Sequence, residues 1–278
     1  MKKKIGISAQ NIIEGGPLTI LRFFLDDFKK QIKEDCIAYV FLNNKKLIDI
    51  KKFNKKNFKF YFKKKNIKNN VIITQQRWIK NSLIKKFKLN NIIVSNPKIS
   101  KSKLKRTLSK KKTFIYPSLP RFQKNYEVIC KACEILNKKE LDYEILFTFN
   151  KNECKYSKYI SKISTQIPNI KFIGRQNNLE MKKLYQRASY LIFSSKLETW
   201  GLPVSEAISY NIPIIISNLA YAKETIGTYK KVIYFNPDNY IQLSNILSKL
   251  ISGKTTFNYD NHKKNYKNYL DISWNKII

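Results

Sequence analysis

The chain has 278 residues, enough to bury a large core, and this length favours two domains over one. Its 55 basic and 19 acidic residues give a formal net charge of +36, and its four cysteines lack the paired spacing of a zinc site. The absence of any 18-residue apolar run excludes a membrane-spanning helix, and the apolar part of the basic N-terminus is too short for a signal peptide. We therefore expect a cytoplasmic protein, with a peripheral position on the inner face of the cytoplasmic membrane as an extension of that expectation.

The positive charge does not by itself indicate a nucleic-acid partner. Lysine supplies 49 of the basic residues and arginine only 6, and the chain also contains 40 isoleucines and 29 asparagines. Lys, Ile and Asn all have A/T-rich codons, so genome composition explains the three excesses together. Proteins that read phosphates and bases favour arginine for its two-pronged hydrogen bonding. We expect no specific nucleic acid, whereas an anionic membrane surface would attract each nearby basic residue by about 1 kcal/mol.

The first part of the chain, residues 1–112, predicts a short α/β domain followed by a linker. The predicted strands are residues 4–8, 36–42, 71–74 and 92–95, and the predicted helices are 18–32 and 75–87. Gly15 and Gly16 lie between the first strand and the first helix, where glycine lets a backbone approach a ligand closely. Residues 43–70 give no clear pattern, and residues 97–112 lack a buried pattern, which is typical of an interdomain linker.

The second part of the chain, residues 113–257, alternates short apolar runs with amphipathic segments. The predicted strands are 113–116, 144–149, 171–173, 190–193, 212–216 and 232–235, and the predicted helices are 125–137, 153–165, 178–187, 203–210, 220–226 and 238–251. This alternation predicts a parallel, doubly wound sheet. Residues 258–278 have apolar side chains at helical spacing and predict a final helix.

The stretch from residue 193 to 227 carries the most chemistry. Glu198 and Glu206 are eight positions apart, with Gly201, Leu202 and Pro203 between them. A strand before them and a helix after them would place both carboxylates at the crevice where open α/β sheets bind ligands. The helix start offers free N–H groups and the positive end of its dipole to a phosphate. Carboxylates beside an anion site suit a ligand with many hydroxyls and a phosphate, which describes a nucleotide sugar.

These residues resemble the Glu-x7-Glu motif of the retaining glycosyltransferases of family 4 (group 1), which have the two-domain GT-B fold. The resemblance runs from about residue 114 to the C-terminus, and more loosely over residues 6–21. It implies that Glu198 contacts the donor sugar hydroxyls, that Glu206 holds the ribose hydroxyls, and that the backbone of residues 201–203 lies near the diphosphate. It also implies an α/β fold of two Rossmann-like domains, with an abbreviated N-terminal acceptor domain and a final helix packing back on it.

The resemblance implies further ligand contacts. Family members carry an Arg and a Lys after the first strand of the second domain, where they neutralise charge on the departing diphosphate. Arg121 and Lys124 stand there in this chain, more closely spaced than in the commoner arrangement. The family pattern also places residues 15–16 against the donor phosphates or the acceptor, and Gly174 at the step before the contacts to the nucleotide base. Arg175 is either a further base or phosphate contact or a solvated residue.

Two pairs of side chains remain. Cys130 and Cys133 lie in the middle of a predicted helix, where we expect buried small residues and not a redox pair. Gln75 and Gln76 open the predicted helix 75–87 and are candidates to contact an acceptor.

The residues and the resemblance together predict a glycosyltransferase that uses a nucleoside-diphosphate sugar as donor. The resemblance implies transfer, with retention, to a glycan or lipid-linked acceptor that is a precursor of a cell-surface glycan (lipopolysaccharide, O-antigen or capsule). No cofactor or metal is expected, because no Asp-x-Asp is present and cations with a helix dipole can replace a metal ion. Two alternatives stay open. Many family members have a histidine in the N-terminal domain, whereas this chain has only His262, so a non-catalytic nucleotide-sugar-binding protein is one alternative. A basic nucleic-acid-binding protein is the other.

Overall fold

A computed structural model of the chain describes residues 3–9, 36–42, 56–61, 72–88, 92–97, 106–108, 110–139 and 141–254, together with residues 25, 26, 29, 48, 53 and 102. The chain forms two compact units that separate between residues 98 and 99, at the start of the predicted linker. Gly15, Gly16, His262 and the predicted final helix 258–278 lie outside the described residues, as does most of the predicted helix 18–32. Within the described residues, no helix is long and apolar enough to cross a membrane.

The first unit contains two small parallel sheets. One has the strand order β1 (Lys3–Ala9), β2 (Cys36–Leu42), β3 (Phe58–Tyr61), and the other pairs β4 (Ile72–Thr74) with β5 (Ile92–Val94). Helix α1 (Arg77–Phe87) connects β4 to β5. Strand β3 lies in the segment 43–70, whose residues show no clear pattern of secondary structure. Its Phe58 packs on Phe53 with ring centroids 5.0 Å apart, so aromatic packing anchors a strand of only four residues.

The second unit is a six-stranded parallel sheet with helices between its strands. In chain order its strands are β6 (Lys112–Tyr116), β7 (Tyr143–Phe147), β8 (Ile170–Phe172), β9 (Tyr190–Phe193), β10 (Ile214–Ser217) and β11 (Val232–Phe235). The helices are α2 (Tyr126–Asn137), α3 (Lys155–Ile163), α4 (Asn178–Arg187), α5 (Leu202–Ser209), α6 (Ala220–Ile226) and α7 (Tyr240–Ile251), and a short 3₁₀ helix spans Phe122–Lys124. This confirms the predicted doubly wound α/β arrangement.

The strands of the second unit are apolar runs in the sequence because they are buried. Every residue of β10 is buried, and so are Phe114, Ile115 and Tyr116 of β6, because helices cover both faces of a parallel sheet. Cys130 and Cys133 are buried in α2, as expected from the sequence. Desolvation raises the pKa of Cys133 to about 12 and that of Cys130 further, which keeps both thiols protonated and unreactive.

The strand order of this sheet determines where a ligand can bind. The order is β11-β10-β9-β6-β7-β8, so the chain proceeds from β6 towards one edge of the sheet and from β9 towards the other. Strands β6 and β9 are neighbours, with Phe114 opposite Tyr190. The connections that leave their carboxyl ends diverge, and open α/β sheets form their ligand crevice at such a switch point.

The segment before β6 is fastened to the second unit by one arginine. The Arg106 guanidinium donates to the carbonyl oxygens of Ala188, of Ser189 at 3.3 Å and of Asn211 at 3.2 Å. The Thr107 amide donates to the Gln186 carbonyl at 2.9 Å. These contacts satisfy carbonyls at the ends of α4 and α5. They are made by backbone groups and one charged side chain, which is why this stretch shows no hydrophobic pattern in the sequence.

Replacing Arg106 tests this attachment. Arg106→Ala leaves carbonyls at two helix ends without their donor, and we expect a loss of about 1–2 kcal/mol in the free energy of unfolding, towards the lower end because the guanidinium is half-exposed. Denaturant unfolding followed by circular dichroism measures it. Arg187→Ala is the matched control, since Arg187 is exposed one residue before Ala188 and its loss should change stability by less than about 0.5 kcal/mol. Equal losses in both variants would contradict the proposed attachment.

Candidate functional site

The switch point carries an ion pair between two residues that the sequence singled out separately. Lys124 lies in the connection after β6, Glu198 lies in the connection after β9, and the Lys124 ammonium contacts the Glu198 carboxylate. The side chains are only 14% and 12% exposed, so both charges are largely removed from water. The ammonium also lies 5.7 Å from the centroid of the Phe193 ring, at the end of β9. The fold thus brings together a cation and a carboxylate from the two diverging connections.

Hydrogen bonds from the strand ends position Lys124. Its backbone carbonyl accepts from the Tyr116 hydroxyl at 2.7 Å and from the Ser194 hydroxyl at 2.9 Å. Tyr116 ends β6 and Ser194 follows β9, so both strands hold the same carbonyl. The next residue, Asn125, has a left-handed backbone and its side-chain amide donates to the Pro237 carbonyl at 2.8 Å. Three of the connections at the carboxyl edge of the sheet are therefore tied together around Lys124.

Helix α6 fixes the connection that carries Glu198. The Tyr221 hydroxyl donates to the Ser195 carbonyl at 2.7 Å, and the Thr225 hydroxyl donates to the Trp200 carbonyl. The Trp200 indole in turn donates to the Ser205 hydroxyl at 2.9 Å. Desolvation raises the pKa of Tyr221 well above its ordinary value, so its hydroxyl remains a donor. Helix α6 therefore holds this connection on both sides of Glu198, at Ser195 and at Trp200.

Gly201 begins helix α5 in a conformation that favours glycine. Its φ is +86°, in the left-handed region, and its carbonyl accepts from the Val204 amide at 2.9 Å. A Cβ here would lie 3.5 Å from Phe193, an ordinary contact, so the backbone angle and not space selects glycine. Leu202 and Pro203 form the first turn, and proline is tolerated there because it lacks an N–H. The helix begins beside the connection that carries Glu198, with its positive dipole end at the carboxyl edge.

Glu206 lies in α5 and contacts α4. Its carboxylate accepts from the Tyr185 hydroxyl at 2.6 Å, and the Tyr185 ring stacks on Tyr210 with centroids 5.3 Å apart. Burial raises the pKa of the Glu206 carboxyl above its ordinary value, and the Tyr185 hydroxyl opposes this shift. One carboxylate oxygen is thus oriented by Tyr185.

Three further residues that the sequence analysis named lie near Lys124 in the chain or after strand β8: Arg121, Gly174 and Arg175. Arg121 precedes the 3₁₀ helix that ends at Lys124, and its side chain is exposed. Gly174 follows β8 with φ at +74°, a backbone angle that favours glycine, and a Cβ there would lie 2.9 Å from Asn150 Oδ1, so the Asn150 side chain would have to move. Arg175 pairs with Glu153 at 2.5 Å, and this guanidinium lowers the pKa of the Glu153 carboxyl.

Two expectations about the first unit meet different outcomes. Gly15 and Gly16 lie outside the described residues, so their predicted role stays a prediction. Gln76 is fully buried and its side chain accepts from the Trp78 indole, which fits a structural role better than an acceptor contact. Within the part of the chain that the structure describes, no group of three or more His, Cys, Asp or Glu side chains is placed to hold a metal ion.

Sequence reasoning missed the residues that position the site. Four hydroxyls donate to backbone carbonyls or to Glu206, those of Tyr116, Tyr185, Ser194 and Tyr221. The three tyrosines occupy positions that a hydrophobic pattern assigns to the core. Ser194 offered the clearest signal, because a small polar residue directly follows a buried strand at the edge where ligands bind.

The comparisons with known sequences point to one family. The family model described as glycosyl transferases group 1 matches residues 97–269, more than half of the chain. The chain is 25% identical over 186 residues to an uncharacterized glycosyltransferase of Haemophilus influenzae, covering 60% of this chain and 52% of that protein. It is 28% identical over 111 residues to the O-antigen chain mannosyltransferase RfbU of Salmonella typhimurium, covering 36% of this chain and 31% of that protein. The chain spans about half or less of the length of these relatives.

Solved structures share the fold at low sequence identity. A glycosyltransferase from Rickettsia africae superposes with a TM-score of 0.69 at 13% identity, covering 92% of this chain and 89% of that chain. The lipopolysaccharide outer core galactosyltransferase WaaB gives 0.68 at 15% identity, covering 94% and 93%. HepE from Anabaena, solved with UDP-glucose, gives 0.68 at 11% identity, covering 90% of each chain. These similarities confirm the predicted GT-B fold class.

The Tyr185–Glu206 hydrogen bond predicts a pH-dependent stability. A carboxyl whose pKa is raised by folding supports the folded state below its ordinary pKa, and this support is lost as pH rises through the raised value. Tyr185→Phe removes the donor that favours the ionised form, so the pKa of Glu206 should rise further. We expect the deficit in melting temperature relative to the unaltered protein to be small near pH 4 and larger near pH 8.

Thermal unfolding across this pH range provides the measurement. Tyr210→Phe is the matched control, because it also replaces a tyrosine in the stack while leaving the Tyr185 hydroxyl on Glu206. Its deficit should not change with pH. A deficit for Tyr185→Phe that is equally large at pH 4 and pH 8 would show that the hydroxyl does not stabilise ionised Glu206.

Proposed function

Since the chain belongs to the glycosyl transferases group 1 family, we propose that it transfers a sugar from a nucleoside-diphosphate sugar to a cell-surface glycan precursor. The acceptor class is a lipopolysaccharide, O-antigen or capsule precursor, and transfer proceeds with retention at the anomeric carbon. Two names support this acceptor class: the similar Salmonella protein is an O-antigen mannosyltransferase, and WaaB is a lipopolysaccharide galactosyltransferase. The HepE complex with UDP-glucose supports a nucleotide-sugar donor.

The observation that carries the proposal is the buried Lys124–Glu198 pair beside the start of α5, at the switch point of the sheet. An ammonium has three N–H donors, so Lys124 can hold Glu198 with one and reach phosphate oxygens with the others. A carboxylate has two oxygens, so Glu198 can hold Lys124 with one and sugar hydroxyls with the other. The pair therefore suits a ligand that brings phosphate and sugar hydroxyls side by side.

Charge on the leaving group explains the need for cations. As the bond from the sugar to the diphosphate breaks, negative charge grows on the diphosphate, and fixed cations and a helix dipole stabilise it. Lys124 supplies a positioned cation, and Arg121 lies three residues away with an exposed side chain. The start of α5, from Gly201 to Pro203, adds the positive end of its dipole. In this proposal these groups replace a metal ion, and no cofactor takes part.

The remaining contacts hold the nucleotide. Glu206 accepts a ribose hydroxyl with the carboxylate oxygen opposite the one held by Tyr185. Gly174 lets the backbone after β8 approach the base, because a glycine at this positive φ carries no side chain. Gly15 and Gly16 contact the donor phosphates or the acceptor.

Retention follows from the leaving group. The departing phosphate accepts the proton of the acceptor hydroxyl on the face of the sugar that it leaves, so the new bond forms on that face. The proposal therefore requires no nucleophile from the protein. It also includes a cytoplasmic location at the inner face of the membrane, where a lipid-linked acceptor would be reached.

One observation favours a second function, a nucleotide-sugar-binding protein without turnover. The chain has a single histidine, His262, whereas many members of the family that it resembles carry one in the N-terminal domain. Incubation of the purified protein with a panel of nucleotide sugars separates the two. Thermal stabilisation by a nucleotide sugar with release of nucleoside diphosphate supports the enzyme, and stabilisation without release supports the binding protein. No stabilisation by any member of the panel would contradict both.

Removing Glu206 should weaken donor binding. A hydrogen bond to a charged group contributes about 1.5–3 kcal/mol, so Glu206→Ala should lower affinity for the nucleotide sugar at least tenfold. Isothermal titration calorimetry measures this, with folding checked by circular dichroism. Glu134→Ala is the control, since Glu134 is exposed on α2. Unchanged affinity in folded Glu206→Ala would remove Glu206 from the donor site.

Removing Arg121 should affect turnover more than binding. Arg121→Ala loses a cation whose attraction is greatest when charge has developed on the leaving diphosphate, so kcat should fall by a larger factor than donor affinity. Steady-state kinetics and calorimetry on one preparation give both values, with Arg187→Ala as a control for loss of an exposed arginine. Equal small effects would show that another group serves the diphosphate.

A further inference from the structure

The first unit contains an exposed cluster of apolar and basic side chains at the end of α1. Helix α1 packs on β4 and β5, yet none of its residues is fully buried. From Ile84 to Lys88, which caps the helix, every residue is exposed, including Ile84 at 39% and Phe87 at 57%. The other three residues of this turn are lysines: Lys85, Lys86 and Lys88. We call residues 84–88 the basic tip.

The basic tip lies in a part of the chain that contains no acidic residue. Between residues 51 and 126 the sequence has 24 Lys and Arg residues and no Asp or Glu. All 19 acidic residues fall in the remaining 202 positions, together with the other 31 basic ones. Codon bias explains a general excess of lysine, but it does not explain why carboxylates are missing from one continuous segment. The segment therefore presents positive charge without internal compensation.

From these observations we propose that the basic tip docks the protein on an anionic phospholipid bilayer, with Ile84 and Phe87 entering the headgroup region and the lysines contacting lipid phosphates. This deepens the membrane-surface part of the proposed function. Exposed apolar side chains on a basic helix end favour insertion into a bilayer interface. Lysines near an anionic leaflet add attraction that decays within a Debye length of the surface.

A nucleic acid is the competing partner for a basic surface, and the composition of the tip disfavours it. Phosphate and base readers rely on arginine forks, whereas the tip has lysines only. The Phe87 ring lies under the Lys86 ammonium, 5.5 Å from ring centroid to Nζ, and next to Ile84 on the helix surface. An aliphatic side chain such as Ile84 gains from hydrocarbon contact and has no role in stacking on bases.

Vesicle co-sedimentation of the full chain tests the proposal. The probes are vesicles of phosphatidylcholine alone and of phosphatidylcholine with about one-third phosphatidylglycerol, a composition chosen to give the anionic surface described above. We expect binding to the anionic vesicles and at least tenfold weaker binding to the neutral ones. The variant Ile84→Ser with Phe87→Ser, and the triple variant Lys85→Gln, Lys86→Gln, Lys88→Gln, should each weaken binding at least fivefold.

Matched control variants distinguish binding by the basic tip from attraction by the overall positive charge of the protein. Lys155→Gln, Lys158→Gln and Lys162→Gln remove three exposed lysines from α3, and Ile241→Ser removes an exposed apolar side chain from α7. Both should bind vesicles like the unaltered protein. Equal losses in tip and control variants, or no binding to anionic vesicles, would overturn the proposal. It would also be overturned if duplex DNA bound more tightly than the vesicles and lost affinity in the tip variants.

The readout is independent of the donor site. Thermal stabilisation by nucleotide sugars, measured on the same variants, should be unchanged, because the substitutions lie in α1 and not at the switch point. Vesicle binding without donor binding would contradict the proposed function alone. Donor binding without vesicle binding would contradict the docking proposal alone.

Discussion

The candidate site depends on the backbone carbonyl of Lys124. This carbonyl accepts hydrogen bonds from hydroxyls at the ends of the neighbouring strands β6 and β9. The Tyr116 and Ser194 hydroxyls converge on it at 2.7 and 2.9 Å. Each bond is worth about 0.5–1.5 kcal/mol net. Their larger effect is geometric, because they join the connections that diverge at the switch point. Together with the Lys196 amide, which donates to the Gln123 carbonyl at 2.7 Å, this junction joins the loops that carry Lys124 and Glu198.

Because the Lys124–Glu198 pair is largely buried, each of its two charges depends on the other. Two charges that are each about 85% or more removed from solvent are stable only together, since an unpaired buried charge costs far more than the pair gains. Before a ligand arrives, each charge satisfies the other, and the helix dipole of α5 lies at the same edge. In the proposed function, a diphosphate that enters there would add negative charge for Lys124 to share, and Glu198 would keep one oxygen for sugar hydroxyls. The arrangement thus holds the two charges in place with little exposure of either to water.

Much of the second unit could be predicted because its strands are buried on both faces. The strands 190–193 and 232–235 and the helices 178–187 and 220–226 match their predicted bounds, while the others in this unit differ by one or two residues. Strand β3 was not predicted, because its four residues, one lysine and three aromatics, are too few to show a strand pattern. Its stability comes from packing against Phe53, which sequence spacing does not show.

The candidate site also contains residues that the sequence predicts and contacts that it does not. Residue types and spacing indicated Glu198 and Glu206, and the resemblance to a family supplied their roles and pointed to Arg121 and Lys124. The pairing of Lys124 with Glu198 could not be predicted, because it joins residues 74 positions apart through the strand order of the sheet. Tyr185 was not predicted either, since a tyrosine on the buried face of α4 has the pattern of a core residue and its hydroxyl contact with Glu206 is a tertiary feature.

The central claim is that the Lys124–Glu198 pair and the start of α5 form the donor diphosphate site. A crystal structure of the protein with a bound nucleoside diphosphate tests it most directly. The account predicts phosphate oxygens within hydrogen-bond distance of the Lys124 ammonium and of backbone N–H groups at Gly201–Leu202, with the ribose at Glu206. A diphosphate bound elsewhere, with the Lys124–Glu198 pair unchanged and solvent at the start of α5, would contradict it.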